Sequence, residues 1–387
     1  MNDYSDVLLL GALISTVLIA RVMLAERRYV MASAAIDELL NGDKPLDKDN
    51  VIEHLYHFRE ITDQILRSTN SNSDFQIKSS WRDHYRKMRS LFTMRGNGEI
   101  SGIPTGLMHL DHYWGGLQGQ TAYLWLGRPG DAKSFSLAQL AVEGAWNGYR
   151  TAFFSPEMSE FAHNCRFHTL LSAKPQVQKE LGLTGPFRNR ALMDGRGFNA
   201  KNYKRFLEWM ETDLKGEITL FTTKYRREKM NTAYIDQRVE TLGIDLVIVD
   251  PIYKLKPPRR RGSRWEELGE IVDSLTDLAH THNIPVVMSN QANRAMIGKD
   301  DAPHMNSSYG SDAPVQEADT VIGVRHYSED RVLKFKCSKN RYGERFNFAA
   351  RFEPNVGICQ DVTPLRHERG FDTDALEKLD AKMEEEE

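Results

Sequence analysis

The sequence is poor in the residues that mark disulfide-rich, metal-binding and low-complexity proteins. Only three cysteines occur in 387 residues, and Cys165, Cys337 and Cys359 form no C-x-x-C pair or zinc-ligand spacing. The 12 histidines show no ligand spacing either, and 27 glycines and 14 prolines are too few for a low-complexity chain. We therefore expect reduced thiols and a cytoplasmic setting.

The chain also lacks a strong net charge. Its 51 basic and 54 acidic residues give a formal charge of -3, so no basic field over the whole protein draws it to nucleic acid or to an anionic membrane. Any site for a polyanion must be local. Apolar residues at 40% and charged residues at 27% indicate a folded protein of two or three domains.

Only one apolar run approaches the length of a membrane span. Val7 to Leu24 contains Arg21 near its end and Ser15 and Thr16 in its middle, which favours a buried helix. No basic segment precedes the run, so a secretory signal is not expected. A membrane-tethered scaffold that uses this run as an anchor is the alternative.

Helical periodicity and charge divide the chain into four predicted regions. Residues 1–70 read as a small all-α N-terminal domain, and residues 71–101 as a linker with a basic helix. Residues 102–365 form the predicted main domain. Residues 366–387 are a highly charged tail that ends in four glutamates, for which a solvated end is expected.

A phosphate-binding loop follows an apolar strand and precedes a helical pattern. It matches G-x-x-x-x-G-K-[ST] except that Ala132 replaces the second glycine, where a methyl group adds bulk and disfavours positive φ. Such a loop directs backbone N-H groups at nucleotide phosphates, with Lys133 reaching the β and γ phosphates and the Ser134 hydroxyl holding Mg²⁺. The loop consists of Gly127, Arg128, Pro129, Gly130, Asp131, Ala132, Lys133 and Ser134.

Further apolar runs alternate with helical stretches, which predicts an α/β domain with a mainly parallel, doubly wound sheet. Ligands of such sheets bind beyond the carboxyl ends of the strands, so polar residues there are candidates. Asp250 is the expected metal carboxylate, Glu157 the candidate general base and Gln291 the candidate γ-phosphate sensor. A solvated Glu157 and a loop-capping Gln291 are the structural alternatives.

The segment from Lys254 to Arg264 is the strongest candidate for nucleic-acid binding. It carries six basic residues in eleven, and two prolines favour an extended loop. Lysines and arginines of this kind bind a nucleic-acid backbone without reading bases, although a solvated surface is the alternative. The candidate residues are Arg259, Arg260, Arg261 and Arg264, with Arg294 as a weaker one.

Several motifs together resemble the motor domain of DnaB-type replicative helicases of bacteria and their phages. In order, they are GIPTGLMHLDHYWGGLQGQ from Gly102, the phosphate loop, FFSPEMS, VIVDP, the stretch from Ser263 to Arg294, VQEADTVIGV and CSKNRYGE. The N-terminal run also looks like the helical N-terminal domain of this family, in LLGALI and in the residues that follow it.

The resemblance implies a RecA-like fold and a homohexameric ring that unwinds duplex DNA by hydrolysing ATP or another NTP with Mg²⁺. By position, Lys133 and Ser134 match the Walker A residues, Glu157 the catalytic base, Asp250 the Walker B carboxylate and Gln291 the sensor. Lys339 and Arg341 match a KxR pair that reaches the nucleotide of the neighbouring subunit.

The expected partners are single-stranded DNA, forked duplex, a primase and a helicase loader, without stable membrane association. A RecA-type recombination or regulatory ATPase that does not unwind DNA is the alternative within the same fold.

Overall fold

The structure, a computed structural model, describes residues 100–222, 230–257, 263–292 and 313–362. The predicted N-terminal domain, the apolar run from Val7 to Leu24 and the acidic tail lie outside these residues. Within them, no helix combines the length and the apolar character that crossing a membrane requires.

A nine-stranded sheet forms the centre of the described residues, in the order β3-β2-β4-β5-β1-β6-β7-β8-β9. The strands from β3 to β6 in this order pair in parallel, and β7, β8 and β9 extend the sheet beyond β6 through successive antiparallel pairs. The bounds are β1 Ala122–Gly127, β2 Arg150–Ser155, β3 Glu217–Thr222, β4 Leu246–Val249, β5 Val286–Gln291, β6 Thr320–Tyr327, β7 Val332–Asn340, β8 Asn347–Glu353 and β9 Ile358–Asp361.

Helices connect the parallel strands. The helix α8 begins with a capping box, in which Ser263 and Glu266 satisfy each other's backbone N-H groups. The helices are α1 Met108–Trp114, α2 Lys133–Trp146, α3 Glu160–Ser172, α4 Pro175–Leu181, α5 Asn189–Asp194, α6 Ala200–Thr212, α7 Thr232–Leu242, α8 Arg264–His282 and α9 Ala313–Glu317, with short 3-10 turns at Ile252–Lys254 and Pro354–Val356.

The central strand β1 is buried on both faces, as a parallel sheet covered by helices requires. Tyr123 and Trp125 join one hydrophobic cluster, to which α2 contributes Leu137 and Leu140. Leu124 and Leu126 belong to a second cluster, which contains Leu268, Ile271 and Leu275 of α8. These two cores confirm the doubly wound α/β fold that the sequence predicts.

The antiparallel extension closes back onto the start of the domain. Asp361, the last residue of β9, accepts the backbone N-H of Met108 at 2.7 Å and contacts His109 Nδ1 at 2.6 Å. The carboxylate therefore satisfies N-H groups at the first turn of α1, where a negative charge is favoured. The sequence patterns did not predict this extension.

Candidate functional site

The phosphate-binding loop lies between β1 and α2, at the carboxyl end of the parallel strands. Lys133 is the first residue of α2, and its Nζ donates hydrogen bonds to the carbonyl groups of Gly127 at 2.8 Å and Arg128 at 2.9 Å. Pro129 and Gly130 form the exposed tip, and Ser134 lies on the first helical turn. The loop thus presents the backbone N-H groups of a helix start to any anion bound above it.

Ala132 occupies a left-handed conformation, with φ 58° and ψ 22°. Glycine adopts this region without strain, whereas a Cβ makes it unfavourable by about 1 to 2 kcal/mol. The replacement of the second glycine therefore falls where the backbone does require positive φ. Gly130, two residues earlier, also has a positive φ, of +88°. The space beside its Cα is open, with no atom within 4 Å of the position that a Cβ would take.

Asp131 connects the loop to strand β6. Its carboxylate accepts the backbone N-H of Arg128 at 2.7 Å and that of His326 at 3.3 Å, and it lies 3.9 Å from Arg325 Nε. The side chain is buried, so these contacts are shielded from solvent. The sequence placed Asp131 in the loop without predicting this bracing role.

Asp250 follows β4 directly and is almost fully buried. Ser289 Oγ of β5 donates to Asp250 Oδ1 at 2.5 Å, and the Asp250 N-H donates to the carbonyl of Phe154 at 2.9 Å. Strand β5 therefore holds the carboxylate of Asp250, and strand β2 holds its backbone. A rigid carboxylate and the Ser134 hydroxyl are oxygen ligands of the kind that Mg²⁺ prefers.

Glu157 and Gln291 come together through a third residue, Tyr253. The Tyr253 hydroxyl lies 2.8 Å from Glu157 Oε2 and 2.8 Å from Gln291 Nε2. Gln291 ends β5 and is the register partner of Gly127, which ends β1. The predicted base and the predicted sensor thus share one edge of the sheet with the phosphate-binding loop.

Burial and the neighbouring negative charges change the pKa of Lys133 in opposite directions. Burial lowers the pKa of Lys133, while the negative charges of Asp250, Asp131 and Glu157 raise it. These three carboxylates are close enough to influence the ammonium group. Three of the predicted residues, Lys133, Asp250 and Glu157, consequently form one electrostatic unit.

The turn that carries Glu157 is held by a buried histidine. His163 Nε2 of α3 lies 2.8 Å from Ser155 Oγ, which also accepts the N-H of Met158 at 3.3 Å. Burial, assisted by the charge of Arg166, lowers the pKa of His163 to about 4, so the imidazole is neutral at pH 7. Its role is therefore that of a structural hydrogen-bonding partner.

Lys339 and Arg341 lie at the opposite end of the sheet. Arg341 Nη1 is 2.6 Å from Asp319 Oδ1, and Lys339 Nζ donates to the carbonyl groups of Val315 and Gln316 at 3.0 and 2.7 Å. Asp319 is fully buried, and its Oδ2 accepts the N-H of Ala122, the first residue of β1. The structure therefore separates this cationic pair from the phosphate-binding loop of the same chain.

Among the nucleic-acid candidates, only Arg264 belongs to the described residues. Its guanidinium contacts Glu267 Oε2 at 2.7 Å and donates a hydrogen bond to the backbone carbonyl of Tyr253. The other four, Arg259, Arg260, Arg261 and Arg294, lie outside the described residues.

Sequence reasoning missed Tyr253 and Asp319. Tyr253 stands three residues past Asp250, on the turn that follows β4, and a search of whole strand-end turns for polar side chains would have included it. Asp319 directly precedes β6. It therefore lies at the amino end of a strand, whereas ligand-binding residues are expected at the carboxyl ends.

A known protein family matches the part of the chain that carries these candidate residues. The family described as "DnaB-like helicase C terminal domain" matches residues 102–359. This match covers the phosphate-binding loop, the strand-end residues and the cationic pair.

Two curated relatives show the extent of the similarity. The replicative DNA helicase DnaB of Rickettsia bellii (strain RML369-C) is 24% identical over 289 residues, which cover 70% of this chain and 54% of that protein. The protein of the same name from Leifsonia xyli subsp. xyli (strain CTCB07) is 28% identical over 283 residues, covering 70% and 58%. The chain thus matches little more than half the length of these relatives.

Solved structures share the fold at low sequence identity. One solved ATPase domain has a TM-score of 0.62 at 17% identity and covers 75% of this chain and all of its own. A DnaB-like replicative helicase, described with its interactions with primase, has a TM-score of 0.65 at 15% identity and covers 92% of this chain and 78% of its own. The fold is that of RecA-like ATPase domains, as the sequence motifs predict.

Proposed function

Because the chain belongs to the family defined by the DnaB-like helicase C terminal domain, we propose that it is an ATP-dependent replicative DNA helicase. In this proposal it moves along single-stranded DNA and separates the duplex at a replication fork. The observation that carries the proposal is the arrangement of Lys133, Asp250, Glu157 and Gln291 at one sheet edge within this fold. Fold alone does not define activity, so the proposal depends on these residues.

The residues at this edge suit hydrolysis of a nucleoside triphosphate. Lys133 would bind the β and γ phosphates, and Glu157 would orient the attacking water and accept its proton. Gln291 would contact the γ phosphate. Ser134 and Asp250 would hold Mg²⁺, which when bound neutralises charge on the phosphate oxygens.

The separation of Lys339 and Arg341 from the loop supports a shared active site. Strand β1 spans six residues between the two ends, a distance of about 16 Å, so neither cation reaches phosphates bound by its own chain. A guanidinium supplied by a neighbour stabilises charge that develops during phosphoryl transfer. We therefore infer a homo-oligomer, a hexameric ring, in which Arg341 acts on the adjacent subunit and Lys339 assists it.

Single-stranded DNA and forked duplex are the proposed nucleic-acid partners. Tyr253, which directly precedes the basic segment from Lys254 to Arg264, contacts both Glu157 and Arg264. The two ends of the segment therefore lie close to the proposed base. Arg259, Arg260, Arg261, Arg264 and Arg294 are the proposed DNA contacts. A primase is a proposed protein partner, because one structural neighbour is described with its interactions with primase. A helicase loader is proposed from the resemblance to DnaB-type helicases alone.

Strand separation on a forked DNA substrate tests this function. The wild-type chain should release a labelled strand with ATP and Mg²⁺, and Glu157→Gln, which keeps the shape of the side chain, should not. DNA-dependent ATP hydrolysis without strand release would contradict the helicase assignment and favour a RecA-type ATPase. Absence of both activities would contradict the assignment of an ATP-driven motor.

A further inference from the structure

The Tyr253 hydroxyl connects the proposed base, Glu157, with the proposed γ-phosphate sensor, Gln291. Gln291 Nε2 can only donate to this oxygen, and the single hydroxyl proton is then directed to Glu157 Oε2. The two distances, 2.8 Å each, are those of well-formed hydrogen bonds. The Tyr253 hydroxyl thus bridges the side chains of Gln291 and Glu157.

The backbone around Tyr253 is fixed, and the hydroxyl at the end of its ring is hydrogen-bonded on two sides. The flanking Ile252 and Leu255 are buried, and the turn is closed by hydrogen bonds between backbone groups of Pro251, Ile252, Lys254 and Leu255. Arg264 donates to the Tyr253 carbonyl, and the Lys254 ammonium lies 5.6 Å from the ring centroid. A side chain held in this way can orient a partner with little further loss of its own conformational entropy.

Electrostatics keep the hydroxyl protonated. Burial raises the pKa of Tyr253, and the hydrogen bond with Glu157 and the charge of Glu157 raise it further. The Tyr253 hydroxyl is therefore protonated at neutral pH and can donate to Glu157.

We propose that Tyr253 is a positioning residue, which holds the Glu157 carboxylate in the orientation needed for water activation and couples it to Gln291. This inference rests on the proposed ATPase function of the same site. It predicts an effect on turnover that exceeds any effect on nucleotide binding, because Tyr253 contacts the base and the sensor rather than the residues of the phosphate-binding loop.

The variant Tyr253→Phe removes only the hydroxyl and keeps the ring. We expect kcat for DNA-stimulated ATP hydrolysis to fall about tenfold or more, with KM and the Kd of a non-hydrolysable ATP analogue changed less than about twofold. Tyr149→Phe is the matched control, since Tyr149 directly precedes β2, at the end of that strand far from Glu157. A kcat for Tyr253→Phe within about twofold of the control would overturn the proposal.

Coupling between the residues gives a second readout. If Tyr253 acts through Gln291 and Glu157, Tyr253→Phe should slow a Gln291→Ala variant less than it slows the wild-type chain, because the hydrogen bond between Gln291 and the hydroxyl is already absent and only the one to Glu157 is left to lose. Equal fold-losses in both backgrounds would show independent effects and contradict the coupling.

Thermal unfolding tests the same hydrogen bond without turnover. The Tyr253→Phe and Glu157→Ala variants should lower the unfolding midpoint non-additively, because each removes one partner of the same hydrogen bond, and fully additive shifts would contradict the hydrogen bond itself. A wild-type chain that hydrolyses no ATP would overturn the proposed function, whereas active wild type with an unaffected Tyr253→Phe variant would overturn this inference alone.

Discussion

Lys133 and Arg341 are linked to opposite ends of strand β1, Lys133 directly and Arg341 through Asp319. Lys133 Nζ donates to the carbonyl of Gly127, the last residue of the strand, at 2.8 Å. Arg341 pairs with Asp319, whose second carboxylate oxygen accepts the N-H of Ala122, the first residue, at 2.9 Å. One chain therefore presents a phosphate-binding loop at one end of the sheet and a cationic pair at the other.

Substitutions at Lys133 and Glu157 should separate nucleotide binding from hydrolysis. Lys133→Ala removes the cation that binds phosphates and should weaken binding, which calorimetry with a non-hydrolysable ATP analogue measures. Glu157→Gln should bind normally and turn over very slowly. Retention of more than about a tenth of wild-type turnover, a barrier increase under roughly 1.4 kcal/mol, would show that Glu157 is not the base.

Ala132→Gly should relieve the left-handed strain in the phosphate-binding loop. We expect tighter nucleotide binding, because the methyl group is removed where the backbone approaches phosphate. The free energy of unfolding should change by less than about 1 kcal/mol, since relief of strain offsets the greater freedom of glycine in the unfolded chain.

The matched control is Ala141→Gly, inside α2, which should destabilise the chain by about 1 kcal/mol or more without the gain in affinity. Weaker nucleotide binding by Ala132→Gly would show that the methyl group contributes to the site instead of obstructing it.

The charge of Asp131 should set the alkaline limit of nucleotide binding. Burial lowers the pKa of Lys133, and Asp131 is one of three carboxylates that raise it. Asp131→Asn removes a raising influence, so the pKa of Lys133 should fall further and binding should be lost at a lower pH. The Kd of a fluorescent ATP analogue measured against pH checks this.

Asp245→Asn serves as the control, because Asp245 pairs with Arg150 at the amino end of β2, far from the loop. An alkaline limit that stays at the wild-type pH in Asp131→Asn would contradict the electrostatic account.

The basic segment should account for part of the salt dependence of DNA binding. Replacing Arg259, Arg260 and Arg261 with alanine should weaken binding of single-stranded DNA irrespective of its sequence. The slope of log K against log salt should also flatten, by up to about 0.7 for each phosphate that is no longer bound. Fluorescence anisotropy at several salt concentrations measures the slope. A slope equal to that of the wild-type chain would assign the segment to the solvated surface.

The grouping of candidate residues at one edge of the sheet was predictable from sequence, because a parallel sheet brings the carboxyl ends of its strands together. Glu157, Asp250 and Gln291 each follow an apolar run, so the fold rule alone brings them near the loop. The positive φ at Ala132 was likewise implied by the glycine it replaces. Tyr253 was missed because its role depends on the path of a turn, which periodicity does not specify.

The antiparallel part of the sheet was harder to predict from sequence. The interaction of Asp361 with His109 joins residues 252 positions apart, and only tertiary packing brings them together. The ion pair of Arg341 with Asp319 depends in the same way on the pairing of β6 with β7. Such long-range partners leave no local pattern in the sequence.

We propose that Arg341 of another subunit completes the site at Lys133, Glu157 and Gln291. Arg341→Ala and Lys133→Ala chains should each be inactive alone, with nucleotide binding nearly intact in the former. Mixed oligomers should regain measurable ATPase activity, because an intact Arg341 on one chain then meets an intact Lys133 on its neighbour. No recovery after independently demonstrated subunit exchange, repeated in a covalently linked pair of the two variants, would contradict a role of Arg341 at the neighbouring subunit's site.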